Sequence, residues 1–145
     1  NKHLTLRTSV IGPELKVDGE ELFHWFINQN KEINGYTKAI WSGVTSLVLA
    51  KAVNWAIENK TTGLYHVTNN KTIDKFTLLN LIKKYTKKNI LINSFDAKML
   101  NKSFIDTRKE LDFVIPDYEI MIKEMIGSIN KNKILYHQYM RKMNF

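Results

Sequence analysis

The sequence contains no cysteine, which excludes disulfide bonds, cysteine-ligated zinc and thiol catalysis. A reducing compartment is compatible with this composition, so we expect a cytoplasmic protein. No apolar run reaches the length of about 18 residues that a membrane-spanning helix requires, and we expect no membrane partner. The first residues, Asn1–Arg7, have no apolar stretch followed by small side chains, so they are not expected to form a signal peptide.

The short motifs that hold phosphates and metals are also missing. None of the six glycines has the spacing of the GxGxxG or P-loop motifs, so this chain alone is not expected to hold a dinucleotide through such a loop. The four histidines form no HxxxH or HExxH pair, and no GxSxG nucleophile motif occurs. The sequence therefore predicts neither a metal site nor a catalytic residue of these kinds.

Positive charge is in excess, with 22 Lys and Arg against 14 Asp and Glu and a net charge of +8. Such an excess attracts anions, including nucleic acids and nucleotide diphosphates, but it is also typical of a solvated, lysine-rich surface. Nucleic-acid sites usually combine clustered arginine with exposed aromatic side chains. Here the arginines are scattered at Arg7, Arg108 and Arg141. We predict no nucleic-acid partner.

With 145 residues the chain suffices for one domain with one core. Its hydrophobic periodicity predicts helices that alternate with a few short strands, which is an α/β pattern. Strands are predicted at residues 4–9, 64–67 and 90–92. Helices are predicted from Asp18 or Gly19 to Gln29, from Thr45 or Ser46 to Asn59, over 74–86 with Thr72 as the cap, briefly over 106–111, and from Pro116 or Asp117 to about residue 130.

Four of these helices have predicted buried faces. The first places Leu22, Phe23, Phe26 and Ile27 on one side, and the third carries Phe76, Leu79, Ile82 and Tyr85. The second helix places Leu49, Ala50, Val53 and Ile57 on one side. The last helix has the clearest helical period in the chain, carried by Tyr118, Met121, Ile122, Met125, Ile126 and Ile129. Residues 131–145 form a basic C-terminal tail, for which the sequence leaves open a helical extension or a frayed terminus.

Two segments are candidate ligand walls. Arg7–Pro13 ends a strand in a Gly-Pro loop, the position at which open α/β sheets bind ligands, although ordinary turn chemistry also explains it. Asn34–Gly43 combines Tyr, Trp and Lys, which suit a base, a sugar and a phosphate, although it also suits a loop that aromatic residues attach to the core. His66 is open to a core role or to acid–base work in a pocket, and we expect His24 to be a packing residue.

Taken in order, several segments resemble the extended short-chain dehydrogenase/reductase superfamily, in its dTDP-4-dehydrorhamnose reductase-like branch. Leu4–Gly12 resembles a late Rossmann strand with its "RTS…G" exit loop, and Asn34–Val44 resembles the loop before the next helix. Gly63–Val67 resembles the "G-(I/L)-Y-H-(V/L)" strand, and Ile105–Arg108 resembles a late helix start. The resemblance covers roughly residues 3–129.

This resemblance implies an NAD(P)-dependent enzyme that reduces a 4-keto group on a nucleotide-diphosphate sugar, or epimerises it, for cell-envelope polysaccharide synthesis. It implies that Thr8 and Ser9 lie near the cofactor. The residues implied to bind substrate are Val10, Tyr36, Lys38 and Trp41. The glycine-rich loop and the Tyr-x-x-x-Lys pair of the family lie N-terminal to the matched region, and no tyrosine of this chain has Lys four residues later.

We therefore expect residues 1–130 to be the C-terminal, substrate-binding region of a reductase whose N-terminal Rossmann half is missing. No catalytic residue is assigned to the chain, and we expect it to be inert alone. A sheet that lacks its other strands should expose an apolar edge, which predicts dimerisation or strand exchange. The alternatives are part of a nucleotide-sugar epimerase, and a module that binds nucleotide-sugars without catalysis.

Overall fold

The computed structural model describes residues 3–96, 99–107 and 112–144. Short strands and helices alternate along these residues. The strands are β1 (Leu4–Arg7), β2 (Val10–Ile11), β3 (Glu32–Tyr36), β4 (Ala39–Trp41), β5 (Val44–Thr45), β6 (Gly63–His66), β7 (Ile73–Asp74), β8 (Leu91–Phe95) and β9 (Leu100–Lys102). The helices are α1 (Leu22–Asn28), α2 (Ser46–Glu58), α3 (Lys75–Thr86), α4 (Tyr118–Lys131) and α5 (His137–Met140).

Most of the strand pairs are parallel. β1 pairs with β6, β2 with β5, and β3 with β8, while β4 lies between a parallel β9 and an antiparallel β7. Parallel neighbours require a crossover connection, which helices commonly provide. In the described part of the chain no sheet has more than three strands. The α/β pattern with short strands is thus present as predicted, but the described residues form nine strands where the sequence predicted three.

Helix α4 carries much of the core. All six side chains of its predicted face are buried, and α4 packs against α2, α3 and β5. In α1 the predicted residues Phe23, Phe26 and Ile27 are fully buried. These two periodicities were read correctly because each helix has one continuous apolar stripe. Within the described residues no helix has both the length and the apolar character needed to cross a lipid bilayer.

The predicted face of α2 is wrong. Its buried residues are Val48, Ala52 and Ala56, whereas Val53 and Ile57 are 39% and 69% exposed. Large apolar side chains suggested one face, but α2 packs towards α4 through small alanines on another. Alanine loses little area on burial yet lets two helices approach closely, and a pattern weighted by side-chain size overlooks it.

Several helix starts also differ from the predictions. Thr45 does cap α2, since its hydroxyl accepts from the Val48 N–H. The cap of α3 is Asp74 rather than Thr72, because the Asp74 carboxylate accepts from the Thr77 N–H at 2.8 Å. Helix α1 begins at Leu22 rather than at residue 18 or 19. Of the predicted helix at 106–111, residues 106 and 107 are not helical and the other four lie outside the described residues.

The C-terminal segment after α4 packs against the core. It contains the short helix α5, and Tyr139 and Met143 are 1% and 4% exposed. The backbone N–H of Asn144 donates to the Thr86 carbonyl at the end of α3 at 3.0 Å. The basic composition of residues 131–145 therefore coexists with two apolar anchors, so this part of the chain is not frayed up to residue 144.

We expect substitutions on the two faces of α2 to change the free energy of unfolding by very different amounts. Ala56→Leu should lower the free energy of unfolding by about 1–3 kcal/mol, because it adds volume to a packed helix contact. Ile57→Ala, one residue away and exposed, should change it by less than about 0.5 kcal/mol. Urea titrations followed by circular dichroism measure both. A larger loss for Ile57→Ala than for Ala56→Leu would restore the face predicted from the sequence.

Candidate ligand-binding groove

Two parallel strands end side by side at the start of the first predicted wall. In the β1–β6 pair, Arg7 lies opposite His66. Just beyond it, the Val67 N–H donates to the Arg7 carbonyl at 2.9 Å, and the Thr8 hydroxyl donates to the Val67 carbonyl at 2.8 Å. Ligands of open α/β sheets bind at the carboxyl ends of the strands. Thr8 thus joins two strand ends at the edge where a ligand would lie.

A close backbone contact forms the next part of this wall. The Val44 N–H donates to the Ser9 carbonyl at 2.9 Å, which places β2 beside β5. A Cβ atom at Gly43 would lie 2.2 Å from the Ser9 carbonyl oxygen and 2.4 Å from Cζ2 of Trp41. Real Cβ atoms do not approach other atoms so closely. Glycine at this position therefore allows Ser9 and Trp41, from the two predicted walls, to lie together.

A hollow of about 340 Å³, here called the strand-end hollow, opens over these residues. It is lined by Leu6, Arg7, Thr8, Ser9, His66 and Phe104. A recess of about 240 Å³ shares Arg7 and His66 with it and adds Asp106, which is buried. The His66 ring is half-buried and meets the Phe104 ring edge-on at 5.7 Å. His66 is therefore a boundary residue on the wall of the hollow.

Ser9 also lines a second cavity of about 470 Å³, here called the central groove. Its walls are Ser9, Val10, Ile11, Glu21, Leu22, Trp41, Lys75, Leu78 and Lys102. A further cavity of about 370 Å³, here called the aromatic end, is lined by Glu20, Glu21, Leu22, Trp25, Asn34, Tyr36, Lys75 and Leu79. The two share Glu21, Leu22 and Lys75, so the cavities adjoin one another from the strand ends to the aromatic end.

The predicted site residues distribute along this series of cavities. Thr8 and Ser9 line the strand-end hollow, while Ser9, Val10 and Trp41 meet in the central groove. Tyr36 lies at the aromatic end, where its ring meets Phe95 edge-on at 5.6 Å.

Lys38 is not brought together with them. It lines neither the strand-end hollow, the central groove nor the aromatic end as the described residues form them. Its ammonium lies 2.9 Å from the exposed carboxylate of Asp96, and this hydrogen bond lowers the pKa of Asp96. The Lys38 side chain is half-exposed, whereas Ala39, the first residue of β4, is buried.

Sequence reasoning missed the two lysines of the central groove. Lys75 is the first residue of α3, and Lys102 ends β9, opposite Trp41 in the β4–β9 pair. Neither has a local signal that separates it from the many other lysines of the chain. Glu21 and Trp25 also escaped notice, since only the tertiary structure brings them beside Lys75 of α3 at the aromatic end.

The ring of Trp41 packs against the ring of Tyr118. The two rings lie 5.9 Å apart, and the Tyr118 hydroxyl donates to the Lys71 carbonyl at 2.7 Å. Burial raises the pKa of Tyr118. Because the Tyr118 ring is held by burial and by its hydrogen bond, it fixes the position of the Trp41 indole that packs against it on the groove wall.

The chemistry of these walls suits binding rather than bond breaking. Hydroxyl groups lie at the strand ends, and two lysines lie in the middle with Glu21 beside them. Aromatic rings lie at the far end, together with Glu20. Ammonium groups attract phosphate, and aromatic rings stack on bases. Among the described residues no group of three or more His, Asp and Glu side chains is arranged to hold a metal ion.

Comparison with known proteins shows which solved structures share the fold of this chain. The sequence matches no family model and no curated protein. The structure is similar to dTDP-4-dehydrorhamnose reductase from Bacillus anthracis in complex with NADP, with a TM-score of 0.70, 19% identity, and coverage of 88% of this chain and 49% of that chain. It is also similar to UDP-N-acetylglucosamine 4-epimerase from Methanobrevibacter ruminantium in complex with UDP-N-acetylmuramic acid (TM-score 0.62, 17% identity, 90% and 47% coverage).

The chain shares the fold of these nucleotide-sugar enzymes. A reductase from Yersinia enterocolitica gives the same result, with a TM-score of 0.65 at 19% identity over 87% of this chain and 49% of that one. The Rossmann-type, extended short-chain reductase fold predicted from the sequence is therefore confirmed. The chain spans about half the length of each of these solved chains.

We expect Gly43→Ala to disturb the groove. Its Cβ would collide with the Ser9 carbonyl and the Trp41 ring, so the free energy of unfolding should fall by about 1–3 kcal/mol, with a change in tryptophan fluorescence. Gly127→Ala is the matched control, since its Cβ would meet nothing within 4 Å in the exposed middle of α4. There alanine should stabilise by about 0.5–1 kcal/mol. Equal effects of the two variants in urea titrations would contradict the close contact.

The raised pKa of Tyr118 predicts a loss of stability at alkaline pH. The folded state holds the phenolic proton more tightly than the unfolded state does, so the stabilisation is complete below about pH 10 and declines as the pH rises above it. Tyr118→Phe should flatten this decline in urea titrations between about pH 9 and 11. Burial also raises the pKa of Tyr139, so Tyr118→Phe combined with Tyr139→Phe should flatten it further. An unchanged slope in the double variant would contradict the assignment.

Proposed function

We propose that this chain is the substrate-binding portion of an NAD(P)-dependent nucleotide-sugar reductase that acts on a 4-keto sugar. The observation that carries the proposal is the series of adjoining cavities, with Thr8 and Ser9 at one end, Lys75 and Lys102 in the middle and an aromatic end beyond them. The similarity in fold to dTDP-4-dehydrorhamnose reductases supports the same substrate class.

The order of chemical groups along the groove matches the order of groups in a nucleotide-diphosphate sugar. The sugar ring would lie by Ser9 and Val10, near the strand ends. The diphosphate would lie between the two ammonium groups of the central groove, Lys75 and Lys102, which neutralise its charge. The base would lie at the aromatic end, against Trp25 and Tyr36, which provide rings for stacking.

The chain's own residues would bind and orient this substrate. The Thr8 hydroxyl already donates to Val67, so Thr8 holds the strand ends in register, and Ser9 is the hydroxyl that lines both cavities. An NAD(P)H cofactor would supply the hydride. Thr8 and Ser9, which line the strand-end hollow, are the residues that would meet the nicotinamide end of that cofactor. In this proposal the Tyr-Lys pair and the cofactor loop belong to another part of the parent protein.

Epimerisation is the second candidate. It is favoured by the similarity to the 4-epimerases from Methanobrevibacter ruminantium and from Bacillus cereus, the latter with a TM-score of 0.63 at 16% identity. A nucleotide-sugar epimerase would place its substrate in the same groove. A module that binds nucleotide-sugars without catalysis would do so as well, so binding is the property to test first.

We expect UDP or dTDP to bind the purified chain in calorimetric titrations, with an affinity that falls as salt is added. Lys102→Met and Lys75→Met should each weaken binding about tenfold, which corresponds to roughly 1.4 kcal/mol, a typical value for a hydrogen bond to a charged group. Lys38→Met is the matched control, because it removes an equal charge that pairs with Asp96 outside the groove. Its affinity should stay within about twofold of the unaltered chain.

Two results would contradict the proposal. The absence of binding by either nucleotide, with a chain that is folded by circular dichroism, would show that the groove is no nucleotide site. Equal weakening by all three lysine substitutions would show that net charge alone attracts the nucleotide. A difference between UDP and dTDP would indicate which base the aromatic end accepts.

A further inference from the structure

The C-terminal segment is hydrogen-bonded to the loop that leads into α1. Tyr139, which is 1% exposed, lies with its hydroxyl 3.0 Å from Nδ1 of His24. The same hydroxyl accepts from the Glu14 N–H at 2.9 Å and lies 3.1 Å from the Glu14 carbonyl oxygen. Gln138 adds a bond from its side-chain amide to that carbonyl at 2.6 Å. Four hydrogen bonds thus connect residues more than one hundred positions apart.

The four bonds among Glu14, His24, Gln138 and Tyr139 are here called the junction. Their donors and acceptors can be assigned so that they agree with one another. A tyrosine hydroxyl has one proton to donate and two lone pairs that accept. It accepts from the Glu14 N–H, and with the proton of His24 on Nδ1 it accepts a second time and donates to the Glu14 carbonyl. The Tyr139 hydroxyl and the backbone N–H and carbonyl of Glu14 then all have partners, whereas the buried side-chain oxygen of Gln138 has none among the described residues. Because Tyr139 and His24 are buried, loss of the hydroxyl would leave donors without partners, which is costly.

The junction connects to the groove through Glu14. One carboxylate oxygen of Glu14 accepts from the backbone N–H of Glu21 at 2.7 Å. Glu21 is the residue before α1, and it lines both the central groove and the aromatic end together with Leu22. Gly19 is packed against both Glu14 and His24, because a Cβ atom at position 19 would lie 2.5 Å from the Glu14 carboxylate and 2.9 Å from the His24 ring.

We propose that Tyr139 is a positioning residue for the groove. Its hydroxyl holds the backbone of Glu14, and the Glu14 carboxylate holds the Glu21 N–H, so the C-terminal segment sets the place of the groove wall at the start of α1. The effect on the loop stands on the contacts alone. The effect on ligand affinity rests on the proposed nucleotide-binding function.

Hydrogen–deuterium exchange of the whole chain tests the loop directly. Tyr139→Phe keeps the ring that meets Phe23 edge-on at 5.5 Å and removes only the hydroxyl. We expect exchange at the amides of Glu14 and Glu21 to rise about fivefold or more, while the amides in the middle of α4 keep their rates. Tyr136→Phe is the matched control, since its hydroxyl takes part in none of these bonds, and it should leave both amides unchanged.

A second variant separates the two links. Glu14→Ala removes the carboxylate but keeps the backbone bonds to Tyr139, so exchange should rise at Glu21 and stay unchanged at Glu14. Unchanged exchange at both amides in Tyr139→Phe would overturn the proposal. A uniform rise over the whole chain would overturn it too, because the hydroxyl would then support the fold as a whole rather than this wall.

Nucleotide titration then tests the consequence for the groove. Where the unaltered chain binds UDP or dTDP, Tyr139→Phe should weaken binding at least threefold, and Tyr136→Phe should not. Equal affinity of Tyr139→Phe and the unaltered chain, with faster exchange at Glu21, would overturn the link to the groove. If the unaltered chain binds neither nucleotide, the proposed function fails, while the exchange result still decides whether Tyr139 positions the loop.

Discussion

The contact between the Ser9 carbonyl and Gly43 is the constraint on which the groove depends. It lets β2 and β5 pair in parallel and brings the strand-end residues beside Trp41, whose ring would otherwise collide with a side chain at position 43. Tyr118 from α4 supports that ring, so the groove wall is also tied to the helix that carries much of the core.

The proposed function assigns binding, and no bond-breaking step, to the groove. Its charges and rings follow the order of phosphate and base in a nucleotide, while the motifs that would hold a dinucleotide or transfer a proton are missing from the chain. The solved enzymes that share this fold are about twice as long. Under the proposed function, nucleotide binding is the property that this chain offers for direct measurement.

The candidate site also depends on residues far away in sequence. Lys75 and Lys102 approach the groove from α3 and β9, and the start of α1 is held by the C-terminal segment through Tyr139 and Glu14. Positive charge spread evenly along the sequence thus becomes locally concentrated only after folding. Lys38 lies within the predicted wall segment Asn34–Gly43, yet its ammonium pairs with Asp96 outside the groove.

The amino-acid sequence by itself determined the α/β class and the buried stripes of α1 and α4, because apolar period is a local property of the chain. That its two predicted wall segments bind a ligand stays a prediction. The sequence misplaced the buried face of α2, since alanines pack closely without a strong hydrophobic signal, and it took Thr72 rather than Asp74 as the cap of α3. Only the tertiary structure decided which lysines face the groove and that the C-terminal segment holds its wall, because both depend on contacts between residues that no local pattern relates.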